Sequence, residues 1–103
     1  MELWNPLTKS EILTELFLAE QYLDSTLEKF WNRIRISPVI WKCVDVIEDY
    51  FWIVAKSDSY VIWYNDIEEG FNLSTFKTEG EIQQYSAYQH DLNAVLNRLI
   101  PLL

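Results

Sequence analysis

The sequence predicts an α+β domain with a long N-terminal helix, an antiparallel meander sheet of 4–5 strands and a short C-terminal helix. Three observations carry this. Apolar residues recur at steps of three and four between Ile12 and Ile34. The middle of the chain then changes to short aromatic and β-branched runs separated by polar turns. Near the end, helical spacing returns. At 103 residues, half of them apolar, the chain has the size and composition of a single domain over 1–103.

The first helix is read over 9–33. Thr8-Lys9-Ser10-Glu11 has the spacing of a capping box. Ile12, Leu16, Ala19, Leu23, Leu27, Phe30 and Ile34 form one stripe, which turns Leu16, Leu23, Leu27 and Phe30 toward the core. Acids fill the early turns, and Lys29, Arg33 and Arg35 the end, as the helix dipole favours. Ser37-Pro38 is the expected stop.

Strands follow at 41–46, 50–55 and 60–64, joined by turns at Glu48-Asp49 and Ser57-Asp58-Ser59. Connections this short imply antiparallel pairing. Gly70 permits a sharp turn into a fourth strand, 71–76. Beyond Thr78-Glu79-Gly80 lies a short fifth, 81–85. Leu92, Val95, Leu96 and Leu99 then give a helix over roughly 87–99, stopped by Pro101.

The second and third strands do not alternate between apolar and polar. Tyr50, Trp52 and Val54 oppose Phe51, Ile53 and Ala55, and Tyr60, Ile62 and Tyr64 oppose Val61, Trp63 and Asn65. Two arrangements account for this. Either helices or loops wrap both faces, or the helices share one face and leave an open aromatic surface for a second copy or a partner.

Charge narrows the function. The net charge of −8 argues against nucleic acid, whose phosphates need clustered Lys and Arg, and against anionic membrane surfaces. The excess is local, because residues 43–72 hold seven acids and one base. No apolar run reaches the length of a membrane span. The first ten residues carry no secretory pattern, and the single cysteine, Cys43, cannot form an intrachain disulfide. The expectation is a cytoplasmic protein.

In a meander the Glu48-Asp49 turn lies beside the end of the third strand, where Asp66, Glu68 and Glu69 follow Tyr64. The two acidic groups are therefore expected at one end of the sheet. Three carboxylates within reach fall short of a calcium loop, so no metal and no cofactor are assigned. A glycosidase-type carboxylate pair needs a deep pocket, which a meander of this size rarely holds. A Cys43–His90 nucleophile pair has the bland alternative of a small core cysteine and a solvated histidine. No glycine-rich phosphate loop, CxxC or HxxxH occurs. The chain is read as a non-enzyme.

The stretch W-Y-N-D-I-E-E-G-F-N and the later G-E-I-Q-Q-Y-S-A-Y-Q-H-D-L, set between two helices, resemble small acidic bacterial proteins of uncharacterised or toxin-immunity type. That resemblance implies a partner toxin, often a nuclease whose basic groove is blocked by an acidic face. The expected partner is thus a basic protein, docked through Glu48, Asp49, Asp66, Glu68 and Glu69, with Trp52, Tyr60 and Tyr64 as candidate aromatic contacts. The alternatives are a homodimer or adaptor using the aromatic sheet face, and a weak divalent-metal or small-molecule module.

Overall fold

The structure, a computed structural model, describes residues 7–45 and 49–103. It is an α+β fold with element order α1 (Lys9–Glu20), α2 (Ser25–Ile34), β1 (Arg35–Cys43), β2 (Tyr50–Ser57), β3 (Tyr60–Asn65), β4 (Gly70–Thr75), β5 (Glu81–Ile82) and α3 (Leu92–Leu99). A 3₁₀ turn, Ile100–Leu102, follows.

The long helix expected over 9–33 is two helices. Thr8 makes the capping box with Glu11, as its spacing indicates. The chain then tightens: Gln21, Tyr22 and Leu23 donate to carbonyls only three residues back. Asp24 caps the second helix, accepting from the Thr26 N–H at 2.8 Å. From α3, Asn93 clamps the break. Its Oδ1 accepts from Asp24 N, and its Nδ2 donates to Tyr22 O.

The second helix ends at Ile34, next to the expected bound of 33, but Ser37-Pro38 is not what stops it, because the chain passes directly into β1 at Arg35. Pro38 lies within that strand, where the pairing shifts between Arg35↔Ala55 and Val39↔Ile53. Such an irregularity is where a strand tolerates a residue without an N–H.

Strands β1 to β4 form the expected antiparallel meander, but the whole sheet is mixed, with spatial order β4-β3-β2-β1-β5. The fifth strand is shorter than expected and runs parallel to β1, pairing Lys42↔Glu81 and Cys43↔Ile82. Residues 87–91, expected in the last helix, precede it. Asp91 caps α3 by accepting from Ala94 N.

Both sheet faces are covered. All three helices share one face, where Ile12, Trp31, Ile34, Val95 and Leu99 pack on Trp52, Val54, Ile62 and Tyr64. The other face holds a second core of Trp41, Cys43, Phe51, Ile53, Trp63 and Ile82, with Phe76 and Tyr85 packed against it. The strict alternation read for β2 fails at one point. Ile53 faces Trp63 and Ala55 faces Ile62, so Val54 is an extra residue, a bulge that turns Ala55 to the helix side.

The segment after β5 is fastened by buried polar side chains. Asn72 Oδ1 accepts from Tyr88 N and Ser86 Oγ, while its Nδ2 donates to Tyr88 O and Gly70 O. Ser74 Oγ donates to Gln84 O and accepts from Trp63 Nε1. The Asn65 amide donates to Tyr85 Oη and Ser86 O. Residues 84–90 are thereby strapped along β3 and β4, ending in the Phe71↔His90 bridge.

Candidate functional site

The acidic stretch after β3 is a built turn. Asn65 Oδ1 accepts from Ile67 N and Glu68 N, the self-bonding that suits asparagine to turns. Glu69 takes the left-handed region at φ 58°, which reverses the chain into Gly70. Gly70 has no room for a side chain: a Cβ there would run into Gln89 Cα and Tyr88 O of the strap.

Asp66 faces inward more than a solvated turn residue would. Its Oδ2 accepts from Leu7 N at 2.9 Å, and its Oδ1 is buried with no hydrogen-bond partner. Burial pushes its carboxyl above the ordinary aspartate value. The Leu7 N–H opposes this, while the charges of Asp49 and Glu11 add to it. That Asp49 acts on Asp66 agrees with the register, since Trp52↔Tyr64 brings the start of β2 beside the end of β3.

The first helix enlarges the acidic end. The Tyr64 hydroxyl is pushed up to about 12, by burial first and then by Glu15, Glu69 and Asp66. A groove of about 280 Å³ beside this end is lined by Glu15, Glu69 and Asp91 together with Leu18 and Tyr22. Tyr22 is 81% exposed, so the acids are interleaved with open aromatic and aliphatic surface. Sequence reasoning missed Glu11 and Glu15. Their early-turn positions in α1 were the available signal, read only as dipole complements.

Among the expected site residues, Asp49 and Asp66 come together, with Glu68 half-buried and Glu69 exposed on the same turn. Glu48 lies outside the described residues. The aromatic expectations need correction. Trp52 is 8% exposed and Tyr64 7%, because the helices occupy the face on which they stand. The Trp52 indole donates to Leu7 O at 2.6 Å, and Tyr64 packs edge-on against Phe71. Tyr60 is half-buried at the opposite end of β3, away from the acids.

Among the described residues, the ion pairs are Arg35–Glu20 and Lys56–Glu79, and neither touches this end. No trio of His, Cys, Asp or Glu among them is placed to hold a metal ion. Cys43 is buried in the second core, and burial pushes its thiol up, which suits a core residue. No protein-family model matches the chain, and no curated protein or solved structure matches it significantly.

Proposed function

We propose that this chain is a non-catalytic binding protein that docks a basic protein partner through the acidic end of its sheet. An immunity or inhibitor role against a partner such as a nuclease toxin, exerted in the cytoplasm, fits that chemistry. One observation carries the reading. Glu15 of α1 and Glu69 line one groove, the charges of Asp49 and Glu11 both act on Asp66, and none of these acids is in an ion pair among the described residues.

Holding like charges together costs free energy, and a partner bringing Lys or Arg relieves that cost. The same field speeds encounter with a basic surface. The exposed Leu18 and Tyr22 add the apolar contact that long-range attraction alone lacks.

The test is a double charge reversal, Glu68→Lys with Glu69→Lys. Glu69 is exposed, and Glu68, half-buried, is in no ion pair among the described residues, so stability should stay within about 1 kcal/mol of the parent. The partner is captured from native-host extract on the immobilised chain, and its association rate is then measured against ionic strength. The variant should associate more slowly at low salt, with the gap closing as salt rises. An unchanged rate at low salt would remove the acidic end as the docking site.

A further inference from the structure

A second cavity, of about 210 Å³, has the opposite character. It lies along the outer edge of β4, closed by the strap on one side and by α3 and the 3₁₀ turn on the other. Arg98, His90, Tyr60 and Tyr88 line it, with Leu73 and Leu102 as apolar wall, and no carboxylate contributes to its lining. In a chain with twice as many acids as bases, that is a marked local departure.

The cationic donor in this cavity is uncommitted, while the Ser74 hydroxyl donates to Gln84 O. Arg98 makes neither described ion pair, and its guanidinium lies 5.1 Å from the centroid of the Tyr88 ring. A guanidinium stacked on a ring keeps its in-plane N–H groups free for another partner. Tyr88 in turn stacks on His90, with centroids 4.8 Å apart and planes within 17°. The His90 Nε2 is buried and has no hydrogen-bond partner.

The strand edge adds more donors. Phe71 N points away from β3, since it donates to His90 O. Antiparallel pairing alternates the direction of backbone groups, so the N–H groups of Leu73 and Thr75 point the same way. The strap pairs with this edge at Phe71 and leaves it at Leu73 and Thr75.

We propose that this cavity binds a small carboxylate with an apolar body. Arg98 receives the carboxylate through charge-assisted hydrogen bonds. The edge amides of Leu73 and Thr75 supply further donors, and Leu73, Leu102 and the Tyr60 ring receive the apolar part. The carboxylate can belong to a free organic acid or to the C-terminus of a peptide that extends β4 as an added strand.

Amide NMR titrations of the whole chain test this. The probes are phenylacetate, its neutral analogue phenylacetamide, and N-acetyl-valyl-leucine with either a free C-terminus or a C-terminal amide. The expected result is a saturable shift of the Leu73 and Thr75 amides with both carboxylates and with neither amide. Tighter binding of the free-acid peptide than of phenylacetate identifies a peptide terminus as the source, and the reverse order identifies a free acid. Arg98→Gln is exposed and should keep the spectrum dispersed while weakening binding at least ~10-fold, a tenfold change being what one good polar contact supplies. Lys29→Gln, on the exposed side of α2, should change nothing. Absence of saturable shifts, equal shifts from phenylacetamide, or undiminished binding in Arg98→Gln would each overturn the proposal.

Discussion

Asn65 and Asn72 show how one residue type can organise a surface it does not form. Asn65 orders the acidic turn with its carbonyl and holds the strap with its amide. Asn72 meets two strap residues and its own neighbour. Replacing Asn72 with Ala strands these partners, each unsatisfied buried group costing ~1–3 kcal/mol. Urea unfolding should register that loss, and hydrogen exchange should show the Tyr88 amide losing protection; unchanged exchange at Tyr88 would mean the strap holds without the clamp. The sequence pattern gives Asn65 only a place on a strand face and gives Asn72 no role, because their partners in the strap lie 14 to 21 positions away. Asp66 gives a pH prediction. Its folded-state value is raised, so its neutral form is favoured by folding. That contribution is present in acid and is lost as pH rises through the raised value. Asp66→Asn keeps an oxygen for the Leu7 N–H and removes the charge. The variant should be more stable than the parent at neutral pH, and the gap should close below the ordinary aspartate range, at about pH 3. A gap independent of pH would show that burial of this carboxylate carries no penalty.

At the scale of elements, periodicity placed β2, β3 and β4 well, but β1 begins at Arg35, ahead of the expected 41, β5 is shorter than 81–85, and the first helix was placed only in part. The stripe from Ile12 to Ile34 continues across a break that no apolar residue marks. What breaks the helix is capping: Asp24 holds Thr26, and Asn93 holds both Tyr22 and Asp24. The Asp-Ser-Thr run was a local signal for it, but the partner on α3 is distant in sequence. The break rotates α2, so that Trp31 is buried whereas Leu23 and Phe30 are only partly covered. Trp31→Ala should therefore cost ~3–5 kcal/mol, and Leu23→Ala less than the ~2–5 kcal/mol of a fully buried leucine. Chemical denaturation of the two variants ranks them; a costlier Leu23→Ala would restore the continuous helix. The two-faced apolar pattern of β2 and β3 was legible, but not what covers the second face. That cover is an irregular strap, which has no period to read, held by Asn and Ser side chains in place of a regular ladder.

At the scale of the whole molecule, the acidic end is a free-energy cost carried by the isolated chain. The net charge is −8, and the described ion pairs lie elsewhere. The radius of gyration is 12.9 Å, so at low ionic strength, where the screening length is ~30 Å, every acid feels the others across the fold. At about 0.15 M salt that length falls to ~8 Å, and repulsion survives only between close neighbours. Unfolding spreads the charges, so screening helps the folded state more than the unfolded one. Sodium chloride added over this range should raise Tm, a gain of 1 kcal/mol corresponding to roughly 4–8 °C for a domain of this size. Glu68→Lys with Glu69→Lys changes the net charge by +4, from −8 to −4, and turns two negative charges of the crowded turn into positive ones. Its Tm should therefore respond less to salt than the parent's. Thermal unfolding followed by circular dichroism at several salt concentrations gives both slopes. A parent Tm that falls with salt would mean that attractive pairs outweigh repulsion, and the acidic end would then lack the unrelieved charge that a basic partner is proposed to neutralise.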